Sequence, residues 1–441
     1  MRLDNVTFKG GYHVPDNKSY TSGKAVEKAK EPKVVYIPLH QHVGSPCEAL
    51  VKVGDTVKIG QKIGDSKASV SAPVHASISG TVKSIAKRYN PNGLKVDCIE
   101  IESDGLSEYH ESYGVKTDLS KLSKDEIIIK IKEAGIVGMG GAAFPLHSKL
   151  ITSDDSSVDA VILNGAECEP YLTCDHRIML ENPEKVVTGL QIIMKYLNVN
   201  DGYIAIENNK MDAVGSIKSA VGEKGINVAT MITKFPQGDS YRIVDSVLGR
   251  KVPKGGRTKD ANSLVSNVGT AKAAAEAVLE GKPLIERVVT ITGSGVKNPK
   301  NLLVKIGTTI GECIEQCGGF NGKPGKIIAG GPMTGTALFT LDTPVTKGTT
   351  GILVMTEEET KVDKVLPCIK CGKCLEVCPA YLQPLYISAY SLKDNMEMAK
   401  KYDAESCISC GSCSYVCPSK RPLAESIEHA KSEIKARRKK S

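Results

Sequence analysis

The sequence predicts a multidomain protein of mixed α/β and all-β structure that closes with a small helical module built around cysteines. Three observations carry that expectation. The chain has 441 residues, long enough for three or four separately cored domains. Its hydrophobic periodicity changes several times along its length, from short β runs to alternating helix and strand and back. Finally, eight of its 14 cysteines fall into two tight groups near the C-terminus, too many for a reducing compartment unless they bind metal.

In chain order, residues 1–32 are polar, end in AKEPK and read as an N-terminal arm. Residues 33–105 alternate short β-type runs (VVYIPL, ALVKVGDTVKIGQKIG, SAPVHASISGTVKSI, KVDCIEI) with Gly and Pro, which predicts a small all-β domain. The paired VKVGDTVKIGQ and ISGTVKSI segments resemble the barrel-sandwich hybrid of lipoyl and biotinyl carriers. Such carriers load a Lys at a hairpin tip. Lys67 falls near that place, but its neighbours differ from the carrier pattern, so a solvated loop lysine is expected.

Residues 120–285 change texture. SKDEIIIKIKEAGI has helical spacing with acidic residues in its first turn, and DAVILN, GYIAIE and INVATMIT read as buried strands between helices. Such alternation predicts a largely parallel sheet, whose ligands bind beyond the carboxyl ends of the strands. Residues 286–355 return to β-rich sequence around one short helix, IGECIEQCGGF. The cysteine module occupies 360–425, and a basic tail at 426–441 ends in Lys435, Arg437, Arg438, Lys439 and Lys440.

Composition excludes several classes of function. Trp is absent and aromatics make up 5% of the chain, so stacking platforms for single-stranded nucleic acid are scarce and the net charge of +8 is no argument for nucleic acid. No run of 18 or more apolar residues occurs and the start lacks a signal-peptide core, so a protein that is soluble or peripheral to a membrane, with no transmembrane segment, is expected. The tail would meet anionic lipid or an acidic membrane subunit, or else be a solvated helix end.

The cysteine array is the most specific signal. Cys368, Cys371, Cys374 and Cys378 spell C-x2-C-x2-C-x3-C before Pro379, and the array recurs 39 residues later at Cys407, Cys410, Cys413 and Cys417 before Pro418. In this bacterial-ferredoxin spacing three neighbouring thiolates hold one [4Fe-4S] cluster while the fourth reaches the other. Cys368, Cys371, Cys374 and Cys417 are therefore expected at cluster 1, and Cys407, Cys410, Cys413 and Cys378 at cluster 2. Neither run is a zinc-finger spacing. Gly372 and Gly411 would relieve crowding where backbone approaches sulfide, and the 28 residues between the halves are expected to contain helix. Of the other cysteines, Cys313 and Cys317 lie one helical turn apart, but no further ligand is evident nearby.

Clusters carry single electrons, so exchange with a two-electron donor needs a converter, usually a flavin. Three segments of the α/β region could hold one. GIVGMGGAAFPLHSK offers backbone N–H groups for a phosphate or ring edge. LNGAECEP puts Asn164, Glu167 and Glu169 after a strand, and KFPQGDSYR lets Gly238 open a helix N-terminus toward an anion.

Three motifs carry a family resemblance: G-x-G-G-A-x-F-P-x3-K at Gly138 to Lys149, N-x2-E-x-E-P at Asn164 to Pro170, and SNVGT at Ser266 to Thr270. They resemble the NADH-oxidising flavoprotein subunit of respiratory complex I. FKGGYHVPDNK, IPLHQHVGSP, SAPVHASISGTV, ECEPYLTCDHR, GGPMTG and the double cysteine repeat resemble, in order, the RnfC family, the C subunits of the membrane-bound ferredoxin:NAD oxidoreductases called Rnf complexes. That resemblance spans nearly the whole chain.

It implies a Rossmann-like domain binding non-covalent FMN and NAD(H), a β-grasp domain at 286–355, and two [4Fe-4S] clusters. Gly138, Gly140, Gly141, Lys149, Asn164, Glu167 and Asn267 would hold FMN, while Phe144, Glu169 and Gly238 would border the nicotinamide nucleotide. It further implies a peripheral subunit on the cytoplasmic face of the cell membrane, coupled by its complex to ion translocation. Its partners would be a ferredoxin-accepting iron–sulfur subunit and membrane subunits, and ferredoxin indirectly.

The chain departs from the complex I pattern at Ala166, where that pattern has Asp, and at Gly238-Asp239-Ser240-Tyr241, where it has Gly-Glu-Glu-Thr. Two rival readings follow. One is the related cobalamin reductase of propanediol-using compartments, against which the leading SAPVHAS domain argues. The other is an electron-wire subunit without nucleotide activity.

Overall fold

The computed structural model describes residues 3–154, 157–222 and 225–440. At its centre lies a four-stranded, all-parallel sheet in the order Ile226–Met231, Asp201–Glu207, Ala160–Gly165, Ser263–Asn267. In chain order the first three strands of this sheet step outward in one direction, and the fourth returns to the other side of the first. The order therefore reverses between Ala160–Gly165 and Ser263–Asn267, and a crevice opens beyond their carboxyl ends. Asn164 and Asn267 face each other there in register.

Covered on both sides, these strands are continuous apolar runs: Val161, Ile162 and Leu163 are wholly buried. Helices Pro183–Leu197 and Val268–Glu280 pack on one face. They approach so closely that a Cβ on Gly189 would sit 2.0 Å from the Ala271 carbonyl oxygen. Helix Ser240–Leu248 covers the other face, laying Ile243, Val244 and Val247 over Ile162, Ala205 and Val265.

Ahead of this domain, two small antiparallel sheets pack into one β unit. One comprises Val34–Pro38, Lys95–Ser103, Gly80–Tyr89 and Thr56–Val57, the other Glu48–Ala49, Lys62–Asp65 and Val74–His75. Lys67 is exposed in the loop after Lys62–Asp65. Behind the α/β domain, a six-stranded mixed sheet (Val26–Lys28, Lys300–Lys305, Glu286–Thr292, Gly351–Thr356, Pro324–Ala329, Thr336–Ala337) is covered by helix Ile310–Gln316. Cys313 and Cys317 belong to the core between helix and sheet, as ordinary apolar packing residues.

Residues read as an arm run along the body of the molecule. Val6 and Tyr12 bridge Met231 and Phe235, and Val26–Lys28 adds a parallel edge strand to the mixed sheet. Such a polar stretch has no periodicity of its own, because its partners are supplied by distant segments.

The cysteine module is a pseudo-symmetric pair of loops over three longer helices, Pro384–Ser391, Met396–Lys401 and Leu423–Lys440. The first two are the helices expected between the cysteine runs. Ile387, Met396, Ala399, Ile427 and Ala430 form their common core. The basic tail continues the last helix, where Arg437 pairs with Asp394 at 2.8 Å and Arg438 with Glu405 at 2.7 Å. The side chains of Lys439 and Lys440 lie outside the described residues. Among the described residues no helix is long and apolar enough to cross a membrane.

Candidate functional site

A cleft of about 810 Å³ opens at the reversal point of the parallel sheet. Its α/β wall is made by Gly140, Gly141, Asn164, Glu167, Asn267 and Asp175. Asn164 ends its strand with its side chain turned to both neighbours. Its Oδ1 accepts from Ala166 N–H at 3.0 Å and its Nδ2 donates to the Gly238 carbonyl at 2.8 Å. Asn267 caps helix Val268–Glu280 by accepting from Thr270 N–H, and its Nδ2 donates to Asp175 at 2.6 Å. A Cβ on Gly140 would lie 2.6 Å from that same Nδ2, whereas one on Gly141 would meet nothing within 4 Å. The loop thus touches Asn267 at one glycine and faces open space at the next.

Glu167 accepts the N–H groups of Asp175 at 2.7 Å and His176 at 3.2 Å, supplying the first turn of helix Cys174–Glu181 with an anion. Glu167, Cys174 and Asp175 lie within 4.8 Å of one another. Burial first, and then the neighbouring Glu167, raise the Asp175 carboxyl well above its ordinary range. Sequence reasoning passed over Asp175 and Cys168. The cluster's signal was the DHR that follows ECEPYLTC, but only the fold closes that loop onto the strand end.

The ECEPY loop is backbone-strained, since Glu167 (φ 46°) and Tyr171 (φ 70°) are both left-handed, at a cost of about 1–2 kcal/mol each. Two buried lysines hold it. Lys18 of the N-terminal segment donates to the carbonyls of Glu169 at 3.0 Å and Leu172 at 2.5 Å. Lys210 donates to the Ala166 carbonyl at 2.7 Å and to Glu207 at 3.2 Å. Within the loop, the Cys168 thiol takes the Gly238 N–H at 3.2 Å, and burial pushes its pKa far up.

Glu169 and Gly238, expected beside the nucleotide, also line the cleft. Glu169 reaches across to the mixed-sheet domain, accepting from Thr334 N–H at 2.6 Å and Met333 N–H at 3.2 Å. At the Asp239-Ser240 departure, Asp239 caps helix Ser240–Leu248 through Tyr241 and Arg242 N–H. Gly138, Lys149 and Phe144 are absent from the cleft lining. Gly138 N–H donates to the Phe144 carbonyl at 2.9 Å, closing the loop on itself. Lys149 is half-buried with its ammonium on the Val265 carbonyl, and desolvation there lowers its pKa to about 8.

The remaining walls come from other domains. Gly330, Gly331 and Thr334 belong to the mixed-sheet domain, and His40–Val43 and Asn90–Leu94 to the leading β domain. Ile408 and Ser409, from the second cysteine run, complete the lining.

The eight repeat cysteines line two separate cavities in the crossed sets expected from their spacing. One is lined by Cys378, Cys407, Cys410 and Cys413, the other by Cys368, Cys371, Cys374 and Cys417. Each set shows the same local geometry. Lys370 and Ser409, both at φ 55°, donate N–H to Cys368 and Cys407 sulfur at 3.4 Å. Gly372 and Gly411 sit at φ 80° and 76°, a conformation that favours Gly. Four thiols closing on one small cavity suit a cubane cluster, and sulfur-directed N–H groups suit its charge.

Fold and site together define an electron-transfer protein of the iron–sulfur flavoprotein class. The profile of Nuo51 FMN-binding domains matches residues 131–276, that of the RnfC barrel sandwich hybrid domain 6–106, that of SLBB domains 288–337 and that of 4Fe-4S dicluster domains 367–420. The C subunit of the Na(+)-translocating ferredoxin:NAD(+) oxidoreductase complex of Acetobacterium woodii is 46% identical over the whole of both chains. Its counterpart in the proton-translocating ferredoxin:NAD(+) oxidoreductase complex of Clostridium ljungdahlii is 48% identical over 98% of this chain and 94% of its own. For the C subunit of the ion-translocating oxidoreductase complex of Rhodobacter capsulatus the values are 38%, 99% and 84%. A chain of an NAD+-reducing [NiFe]-hydrogenase shares the fold at TM-score 0.50 and 16% identity, over 71% of this chain and 61% of that one. The chain belongs to the RnfC family, the C subunits of Rnf-type ion-translocating oxidoreductase complexes.

Proposed function

We propose that this chain is the NAD(H)-reacting subunit of an Rnf-type ferredoxin:NAD oxidoreductase, exchanging electrons between NAD(H), FMN and two [4Fe-4S] clusters while its complex translocates ions. One observation carries this reading. The cleft at the strand ends is walled on one side by the glycine loop and paired asparagines, and on another by the Cys407–Cys410 loop. A redox group in the cleft is therefore the direct neighbour of one cysteine set.

FMN held there would supply the conversion between two-electron exchange with NAD(H) and one-electron exchange with the clusters. The chain's own groups do the rest. Gly140 and Gly141 leave room for a ring or phosphate at the backbone, and Asn164 and Asn267 offer amides at the strand ends. Glu167 and Asp175 stand side by side on this wall, and burial together with Glu167 favours the protonated form of the Asp175 carboxyl. Glu169 and Gly238 would border the nicotinamide, and the bond from Glu169 to the Met333–Thr334 loop fixes the gap between the two domains. Gly138, Lys149 and Phe144 support this wall from behind. We read the parallel-sheet domain as Rossmann-like and the mixed sheet with its one helix as a β-grasp fold. The domain limits are taken as 33–105, 120–285, 286–355 and 360–425, flanked by the arm 1–32 and the tail 426–441.

Cys378, Cys407, Cys410 and Cys413 would hold the cluster nearer the flavin. Cys368, Cys371, Cys374 and Cys417 would hold the farther one, in a cavity also lined by Lys370, Lys373 and Arg421. Exposure of Cys368 and Cys371 suits an electron exit or entry against another subunit of the complex, at the cytoplasmic face of the membrane. The cobalamin-reductase reading gains nothing from the comparisons. The test is anaerobic. Purified full-length chain should contain one FMN and about eight irons per chain, and NADH should bleach the flavin and the cluster absorbance. Iron without flavin, or flavin that ignores NADH, would support the electron-wire reading instead.

A further inference from the structure

We infer that Lys431 is a potential-setting residue, whose ammonium makes a cluster held by Cys378, Cys407, Cys410 and Cys413 easier to reduce. The inference rests on the two-cluster reading above and gives a role to a side chain that ligates nothing. Three features of the structure point to it.

Contact comes first. Lys431 stands on helix Leu423–Lys440, and its Nζ donates to the Cys407 carbonyl at 2.8 Å and to the Ser409 hydroxyl at 3.3 Å. Both acceptors belong to the loop that carries Cys407 and Cys410 and that places Ile408 and Ser409 on the cleft lining. Only 26% of the side chain is accessible, so the ammonium is held at the loop rather than free in water. A cation beside the ligating loop favours the state of the cluster that carries one more electron.

The charge is also oriented. Glu428, one helical turn earlier, lies 3.4 Å from the ammonium and accepts the Ser409 O–H. Ser409 thus accepts from the lysine and donates to the glutamate, which keeps the cation on the Cys407 carbonyl and the acid outside it. The acid is 50% accessible and is the better screened of the two. The two charges pull the potential in opposite directions, and the lysine, in direct contact with Cys407, is the stronger.

The repeat does not duplicate this pair. Helices Pro384–Ser391 and Leu423–Lys440 start at matching positions of the 39-residue period, and the places of Lys431 and Glu428 are taken in the first half by Leu392 and Ala389. Leu392 is exposed. The residue that matches Ser409 is Lys370, also exposed. A simple anchor for the helix would serve both halves alike, whereas this one occurs only where the loop also walls the cleft. Its charge therefore acts on the cluster that would exchange electrons with a redox group there.

A redox titration of the full chain, anaerobic and loaded with FMN and clusters, reads this charge directly. Mediators supply one electron to each cluster at a set potential, and electron paramagnetic resonance measures the reduced fraction. A Cys410→Ala chain, in which only the farther set is complete, identifies the step of that cluster. At the wild-type midpoint of the nearer cluster, Lys431→Gln should lower the ratio of reduced to oxidised cluster about threefold to tenfold, the partial exposure of the pair setting the screening. Tenfold corresponds to about 59 mV for one electron. Lys431→Arg should stay within about twofold of wild type, and Glu428→Gln should raise the ratio. The farther cluster should move less than about twofold throughout. No shift in Lys431→Gln, a like shift of both clusters, an Arg chain that follows the Gln chain, or a Glu428→Gln chain that is unmoved or lowered would overturn the role of Lys431 and leave the two-cluster reading intact. A wild type without two reducible clusters would overturn both.

Discussion

The two cysteine sets share one sequence pattern and one local geometry, yet they meet different surroundings. Around Cys407 and Cys410 the loop is half-buried. Ile408 and Ser409 face the cleft, and a Cβ on Gly411 would come within 3.2 Å of the Met333 carbonyl oxygen. Around Cys368 and Cys371 the loop is exposed, and a Cβ on Gly372 would meet nothing within 4 Å. The repeat therefore supplies two equivalent cysteine cradles, and packing makes them unequal. The near cradle is clamped from three sides: Gly11 N–H donates to the Val377 carbonyl at 2.9 Å, Arg242 donates to the Pro379 carbonyl, and the Gly330–Thr334 loop abuts Gly411. The far cradle is left open for a partner. On the proposed reading the repeat would form a relay, with an inner and an outer station.

The largest effect should come from breaking the inner station. Cys410→Ala is expected to abolish NADH-driven reduction of one-electron acceptor dyes while flavin bleaching by NADH persists. Stopped-flow absorbance at the flavin band, together with steady-state dye reduction, separates the two.

Next comes the cleft itself. Gly140→Ala places a methyl against Asn267 Nδ2 and should weaken FMN retention about tenfold or more, as overpacking costs of about 1–3 kcal/mol imply. Ultrafiltration and flavin fluorescence measure it. The same test at Gly141→Ala, where space is open, sharpens the contrast. That variant should lose FMN only through contact with the flavin, with thermal stability unchanged.

A smaller effect is expected from the clamp. Arg242→Met removes the bond to Pro379 and should slow internal electron transfer from flavin to the near cluster with no change in FMN content. Rapid-mixing absorbance would show the flavin bleaching before the clusters rather than with them.

The smallest is a pH effect at the junction of three domains. Lys347 is buried, donates to the Pro73 and Gly135 carbonyls at 2.6 and 2.7 Å, and is lowered by burial to a pKa of about 7 from the ordinary 10.5. Between those values the unfolded chain binds a proton that the native chain does not, so this group makes stability rise with pH from about 7 to about 10.5. Below pH 7 both states are protonated and the contribution is flat. Lys347→Met should flatten that rise in denaturant titrations, and an unchanged slope would refute the assignment.

Much of this architecture was legible in the sequence because its signals are local. The cysteine spacing defined both crossed sets, and continuous apolar runs such as DAVILN marked strands covered on both faces. Asn164 could be named because it follows such a run, and Asn267 because it stands in the SNVGT motif that carries the family resemblance. What stayed hidden depends on contacts between distant segments. Lys18 lies 151 residues before the Glu169 carbonyl it holds, and nothing in KSY marks it as buried. The polar arm gained an edge strand only because Lys300–Lys305 offered one. Likewise, the β-domain loop at 90–94 carries no motif, the loop at 40–43 lies within IPLHQHVGSP without a mark of what it faces, and the place of both on the cleft follows from how the domains dock. Phe144 and Lys149 illustrate the converse: a motif names residues in series, but the loop turns some toward the cleft and others into its support.

The most direct test of the relay compares its two stations by electron paramagnetic resonance. Cys371→Ala and Cys410→Ala chains, each loaded with FMN, are mixed anaerobically with NADH and frozen. The account predicts a reduced [4Fe-4S] signal in Cys371→Ala, whose inner cluster still borders the cleft, and none in Cys410→Ala, whose outer cluster is cut off. A signal in Cys410→Ala with none in Cys371→Ala would contradict it.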